Sequence, residues 1–464
     1  MRPQRKRMTL SDSPVVDVSE LIDRWPLGAL RVRVLVLCGM AALLDGMDLQ
    51  SIGLAAPSMI HALHVEPRAF AAVFSAALLG LMLGAFVLGP LADRIGRKRV
   101  LIVSVLVFGV FSLSTAFAGS LRTLLVARFL TGLGLGGAMP SFLSLGAEFM
   151  PRQRRTVLLS LLWAGFPVGG VLGGLLASRI IPEFGWQSVF YVGGSLPLVL
   201  AVVLMAALPE SPAFLVASGA SPAHIARLVS RIGGARAFSP ASRFMLTEER
   251  VATRSVTHLF TEGRAGGTLL LWITYFLIFL MLVTNTAWTP TLLHAAGIEV
   301  QQSGVAMAAF NLGSVIGTSI VGLLIRRCGV YPTLSILFLV SAVTLGAIGS
   351  TAPSFALITS LEGFAGFFLG AGSSGLIALA PIFYPVAIRS TGVGWATTMG
   401  RFGSFVGPLA VGSLVARHWG IVSIYAALGA PALLAAIVTA SFGLAAARSR
   451  GTTTRSESDP RRTT

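Results

Sequence analysis

This sequence predicts an all-α membrane protein with twelve transmembrane helices in two pseudo-symmetric six-helix bundles. Three observations carry that prediction. First, 54% of the 464 residues are hydrophobic and only 11% are charged, whereas soluble proteins are about a quarter charged. Second, apolar runs of about 20 residues recur from end to end, each long enough to cross ~30 Å of hydrocarbon as a helix. The runs are continuous where barrel strands would alternate, so helices, whose backbones bond internally, are the fit. Third, the chain repeats itself. GPLADRIG at 89–96 and GLLIRRCG at 322–329 stand 233 residues apart, and Gly169 and Gly173 stand 234 residues before Gly403 and Gly407.

In chain order, a basic segment over 1–33 is expected on the cytoplasmic side. Spans follow at about 34–58, 70–92, 98–118, 121–146, 156–178 and 186–208, forming an N-terminal bundle over 34–208. A polar, Arg-rich stretch with Pro and Gly, 209–266, divides the spans six and six. The C-terminal bundle, 267–446, holds spans at about 267–290, 303–325, 333–350, 354–384, 391–416 and 422–446. The tail, 447–464, is rich in Ser, Thr and Arg and is expected to be disordered. Parallel six-helix repeats with a substrate site between them near the midplane are a transporter plan.

The net charge of +17 is a matter of topology. Basic residues crowd before the first span (Arg2, Arg5, Lys6, Arg7, Arg24, Arg31, Arg33) and after the second (Arg94, Arg97, Lys98, Arg99). Others follow the fourth (Arg152, Arg154, Arg155), fill the central stretch and follow the eighth (Arg326, Arg327). The opposite loops hold scattered ones only, such as Arg68, Arg122, Arg179 and Arg417. This positive-inside pattern puts both termini in the cytoplasm and the basic loops against anionic lipid. No nucleic acid partner is expected. Cys38 and Cys328 suggest neither a disulfide nor a metal site, and no cleavable signal peptide is apparent.

Charges inside the spans are the candidates for function, because each costs about 2.5–3.5 kcal/mol at a helix centre. LLDGMDLQ, 43–50, places Asp45 and Asp48 three residues apart on one helix face. Two neighbouring buried carboxylates favour proton uptake by one of them, so the pair reads as a proton relay or a cation site. The competing reading makes them fixed partners of Arg128 or Arg401. Arg128 in span four and Glu362 in span ten occupy corresponding places in the two halves. Arg401 lies near the midplane of span eleven and suits a carboxylate, either a resident one or a substrate's. Glu148 and Arg389 lie near span ends on the basic side. Trp163, Phe166, Trp288, Phe310, Phe364 and Trp395 are aromatic residues of the expected core, and a few could stack on a flat ligand. GLGLGG at 132–137 follows no strand, so close helix packing explains it better than nucleotide binding. No Walker motif appears, so ATP is not the expected energy source. No nucleophile–base or metal cluster stands out, and no enzyme, cofactor or metal is expected.

GPLADRIGRKR, 89–99, resembles the loop between spans two and three of the major facilitator superfamily. There Gly89 and Gly96 allow tight turns, Asp93 engages a helix start and nearby arginines, and Arg94, Arg97 and Lys98 hold cytoplasmic helix ends as a breakable latch. The second-half copy departs from the pattern, with Arg326 where an acid is expected. LPESP at 208–212 looks like a further superfamily feature. Four segments together resemble the aromatic acid:proton symporters of that superfamily: LLDGMDLQSIGLAAP, GPLADRIGRKRVL, ARFLTGLGLGGAMP with Glu148 following, and YPVAIRSTGVGWATTMGRFGSFVGPL at 384–409. Met47 replaces the more usual aromatic residue of the D-G-x-D motif. The resemblance implies weight on Asp45, Asp48, Asp93, Arg128, Glu148, Arg389 and Arg401. It implies proton-driven uptake of a benzoate, hydroxybenzoate or phenylpropionate type of acid across a bacterial inner membrane. The expected partners are the small aromatic carboxylate, the proton and membrane lipid, with the chain a monomer. The alternatives are a proton-coupled exporter of drugs or metabolites and a membrane sensor of aromatic acids.

Overall fold

The computed structural model describes residues 15–25, 27–233, 243–245, 256–350, 354–385 and 388–457. Each expected span is helical, the fifth in two pieces. The first half contains α2 (Ala29–Ala62), α3 (Pro67–Ile95), α4 (Arg97–Thr115), α5 (Leu121–Glu148), the pair α6 (Arg152–Trp163) and α7 (Gly165–Phe184), and α8 (Gln187–Ala207). The second half contains α11 (Ala265–Ala295), α12 (Val300–Cys328), α13 (Val330–Ser350), α14 (Phe355–Phe383), α15 (Arg389–Ala416) and α16 (Ile421–Glu457). A short helix α1 (Val18–Arg24) precedes them, and α9 (Pro212–Ala217) and α10 (Pro222–Gly233) lie between the halves. Eleven helices are long and apolar enough to cross a membrane, and a twelfth span is α1–α2 counted as one path, bent by 97°.

Span five is broken at Ala164. Pro167 has no N–H to offer the carbonyl of Trp163, so the helix ends there and restarts at Gly165. The last helix runs to Glu457, past the expected end at 446. Its AAAR run is made of residues that favour helix, so the first part of the tail expected to be disordered is helical.

The repeat is visible in the packing. Glycines make the seams, since small residues let helix backbones touch where lipid supplies no hydrophobic drive. A methyl group on Gly132 or Gly136 of α5 would overlap the backbone of Ala77 or Leu81 of α3. In the second half, Gly366 and Gly370 of α14 meet Phe310 and Ser314 of α12 in the same way. Gly169 of α7 presses on the backbone of Leu43 of α2, and Gly403 of α15 presses on that of Phe276 of α11. The turns match too: Gly96 (φ 109°) ends α3 and Gly329 (φ 84°) ends α12.

Two segments read separately from sequence fold together beside the first half. Val15–Asp17 (β1) pairs in parallel with Arg243–Met245 (β2). Val18 and Ile22 of α1 share one apolar cluster with Leu215 of α9 and Ile225, Leu228 and Val229 of α10. This unit sits at the face of the bundle where α2 begins, which also carries the 94–99 arginines; we call it the basic face.

The halves meet at the midplane and toward the opposite face. Ser75 donates to the Phe405 carbonyl (3.0 Å), and Asn311 Nδ2 donates to Gln50 Oε1 (2.9 Å). Gly53 of α2 packs on the backbone of Thr286 of α11, Gly174 on Gly304, and Gly412 on Ala71.

Candidate functional site

The site is built on α2, which touches both halves. Asp45 and Asp48 lie at its centre, both buried, but in different settings. Asp48 is fully paired. Arg128 grips it with two nitrogens, Nη1 to Oδ1 at 3.1 Å and Nη2 to Oδ2 at 2.6 Å. Ser112 of α4 donates to Oδ1 at 2.9 Å. The guanidinium also lies 5.8 Å from the ring centre of Phe190 of α8, a favourable cation–π distance. A bidentate pair with an extra donor is the geometry a buried ion pair needs to repay desolvation.

Asp45, one turn away, has no such clamp. The charge that reaches it from the other half is that of Arg401. Arg401 spans the interface: Nη2 meets the sulfur of Met139 on α5 at 3.4 Å, and Nη1 is buried without a hydrogen-bond acceptor. A thioether is a weak acceptor, so this guanidinium retains unused donor capacity between the halves, near the midplane. The two aspartates thus differ in their pairing: Arg128 clamps Asp48, and Arg401 is the charge near Asp45.

Trp163 and Phe166 stack face to face (5.7 Å, 5°) across the break between α6 and α7. A methyl group on Gly46, the neighbour of Asp45, would overlap the Phe166 backbone, so this aromatic pair flanks α2 at the level of Asp45. Trp395 is placed elsewhere: it stacks on Trp272 (5.6 Å, 18°) and is 37% exposed. Phe364, expected in the core, is 59% exposed and faces outward, where lipid accepts an aromatic ring as readily as the interior. Trp288 and Phe310 are buried core residues. Arg389 is exposed at the start of α15, with Nε directed at the Tyr384 carbonyl (3.4 Å). Glu362 is fully buried in α14, and Asn285 of α11 donates to its Oε2 at 3.2 Å.

The latch residues converge on the basic face of the first half. Gly89 is not at a turn as expected but inside α3, against Pro140 of α5, and Gly96 alone turns the chain between α3 and α4. Arg97 is the hub: it pairs with Asp93 (3.0 Å), donates to Ser211 Oγ (2.9 Å) and forms an ion pair with Glu148. Ser211 also bonds Glu148. The acid at the start of α4 is Glu210, which accepts from the Lys98 backbone N–H (3.0 Å). Asp93 reaches Arg97 one turn along instead. Lys98 Nζ reaches the Met205 carbonyl (3.0 Å), and Arg94 is exposed. The LPESP segment thereby joins α3, α4, α5 and α8.

Sequence reasoning missed Ser112, the Gln50–Asn311 link and the amide Asn285. Signals existed, since Gln50, Asn285 and Asn311 are amides inside apolar spans, where an unpaired polar group is costly. Ser112 carries no signal of its own, because a serine can bond its own helix backbone.

The profile of the Major Facilitator Superfamily matches residues 38–298 and 271–463. The chain belongs to the major facilitator superfamily. Within that superfamily it is 36% identical to the gallate transporter of Pseudomonas putida, over 94% of this chain and 97% of that protein. It is 37% identical to the 4-hydroxybenzoate transporter PcaK of the same species, over 91% of this chain and 94% of the relative. Among solved structures, the inward open conformation of the xylose transporter XylE from E. coli superposes with a TM-score of 0.70 at 18% identity. That match covers 88% of this chain and 95% of XylE. The likeness to XylE is one of major facilitator fold.

Proposed function

We propose that this protein imports small aromatic carboxylates of the benzoate, hydroxybenzoate or phenylpropionate type by proton symport, with alternating access. The membrane is a bacterial cytoplasmic membrane, and both termini and the basic face are cytoplasmic. The observation that carries the reading is Arg401: a guanidinium between the two halves whose Nη1 has no acceptor. An arriving carboxylate supplies the bidentate acceptor this fork lacks. The parallel faces of Trp163 and Phe166 offer an aromatic wall on the α2 side. Relatives at 36–37% identity carry the names of gallate and 4-hydroxybenzoate transporters, both acids with a carboxylate on an aromatic ring.

Coupling follows from electrostatics. Anion entry into a negative interior runs against about 2.3 kcal/mol per charge per 100 mV. One proton moving with the anion cancels that charge. Asp45 is the carboxylate placed to carry it, because the same Arg401 faces both Asp45 and the substrate. When the anion occupies Arg401, Asp45 loses its countercharge and favours the protonated form. The contacts between the halves lie toward the face opposite the basic one, so the form described is closed outside and opens inward. The Arg97–Glu148–Glu210 cluster ties helix ends within the first half, which then moves as one body. The basic loops rest on anionic lipid, and the transporting unit is one chain.

Uptake of a panel of labelled aromatic acids into cells expressing the protein, with and without a protonophore, tests the reading. Accumulation of at least one hydroxybenzoate, collapsing with the protonophore, is expected. Uptake indifferent to the protonophore, or faster efflux than entry under the gradient, would reject proton-coupled import.

A further inference from the structure

The second half holds a buried acid that the Asp45–Arg401 reading leaves unused. Glu362 occupies in α14 the place that Arg128 occupies in α5, and each is the polar group through which the fourth span of its half meets the first. In the first half the bond is Arg128 to Asp48 of α2; in the second it is Glu362 to Asn285 of α11. The two halves thus share a layout and differ in charge. Arg128 and Asp48 neutralise each other. Glu362 faces an amide.

The hydrogen bonds around Glu362 have a direction. Tyr425 of α16 donates to Thr289 Oγ1 (3.2 Å). Thr289 gives its proton to Asn285 Oδ1 (3.1 Å), and Asn285 Nδ2 donates to Glu362 Oε2 (3.2 Å). Glu362 Oε1 is left buried with no donor. Tyr425 is a titratable neighbour on which the charge of a Glu362 carboxylate would bear, and among the described residues no cation acts on Glu362. Glu362, Asn285, Thr289 and Tyr425 are all fully buried. A bare carboxylate in such a place would lack both a countercharge and a donor for one oxygen. A proton on Oε1 removes that charge.

We propose that Glu362 is a second proton-carrying site of the transport cycle, separate from Asp45 and loaded in the form seen here. The chain Asn285, Thr289, Tyr425 runs from Glu362 toward the outer ends of α11 and α16, the side from which the proton enters. In loading, one O–H bond forms between Oε1 and a proton from outside water. In release, the same bond breaks and the proton passes to water on the inside; nothing is oxidised or reduced. With one proton on Asp45 and one on Glu362, each anion crosses with net charge +1. This inference rests on the proton-symport reading and sets its stoichiometry.

The test uses proteoliposomes with an imposed interior-negative potential and labelled 4-hydroxybenzoate. In the wild type a net charge of +1 gives roughly fifty-fold extra accumulation per 100 mV at equilibrium. Glu362→Gln should keep substrate exchange and pH-driven uptake but lose that dependence on potential, whereas Glu362→Asp should retain it. A Glu362→Gln protein with the wild-type response to potential would overturn the proposal. A wild type that ignores the pH gradient altogether would overturn the symport reading instead. A second measurement needs no variant. A hydrophobic carbodiimide reacts with protonated buried carboxyls, and mass spectrometry of the labelled wild type should find the adduct on Glu362, falling as pH rises. No adduct there, with Asp45 labelled in the same sample, would equally overturn it.

Discussion

Asp45 and Asp48 are one turn apart, alike in sequence and alike in burial, yet their neighbours give them different settings. Asp48 is held by three hydrogen bonds and a cation. Removing one partner of a buried pair leaves the other uncompensated, at about 3–5 kcal/mol. Asp48→Asn should therefore lower the melting temperature in detergent sharply, and Asp48→Asn with Arg128→Gln should recover part of the loss. Asp45→Asn should leave the melting temperature near that of wild type while abolishing proton-driven accumulation. Equal melting temperatures for the two single variants would contradict this division. Arg401 gives a second prediction at the same scale. Lys keeps the charge but loses the fork, so Arg401→Lys should weaken binding of the acid roughly tenfold to a hundredfold. The corresponding amide should bind weakly to wild type and be little affected. Equal losses for acid and amide, measured by calorimetry on purified protein, would remove Arg401 from the substrate site.

At the scale of helices, the seams are set by glycine. Gly403 meets the Phe276 backbone with no room for a methyl group, and α15 carries Arg401 two residues earlier. Gly403→Ala should push α15 from α11 at a cost of about 1–3 kcal/mol and displace Arg401, lowering substrate affinity more than a lipid-facing Leu409→Ala does. A competition-binding assay on both variants checks it. The cluster around Arg97 is a different kind of joint. Arg97 is largely buried while Asp93 is exposed on its side chain (18% against 69%), so the Arg97–Glu148 contact is the sheltered one. Glu148→Gln should slow turnover more than Asp93→Asn does, with substrate affinity unchanged in both. A fall in affinity as large as the fall in rate would place the cluster in the binding site. The span pattern was legible because lipid permits few alternatives to an apolar helix of fixed length. The break at Ala164 has its cause in Pro167, but a continuous apolar run masks it in the sequence. Which charge pairs with which was not legible: Asp45 and Asp48 share a face, and only the packing of the folded helices gives Arg128 to Asp48 and leaves Arg401 near Asp45.

For the whole molecule, the halves are closed on one side and held there by small contacts. Ala71 of α3 touches Gly412 of α15. In a background with Cys328→Ser, the pair Ala71→Cys and Gly412→Cys should cross-link on mild oxidation without substrate. Uptake should stop and return with reductant; an oxidised pair that still transports would mean the halves do not part at this face. The sequence pointed to two like halves through a 233-residue spacing, and the matching glycine seams give that spacing its physical meaning. It gave no hint that Val15–Asp17 would find its partner at Arg243–Met245, because three-residue strands carry no readable period. That pairing bears on how the protein is made. The first strand leaves the ribosome long before its mate and must wait while the first six spans are inserted. The amino-terminal half is therefore a complete unit only once Met245 has been synthesised. A chain divided after Met245 should give two fragments that reassemble into a working carrier when co-expressed. One divided before Arg243 should strand β1 without its mate and yield a first fragment that proteases clear.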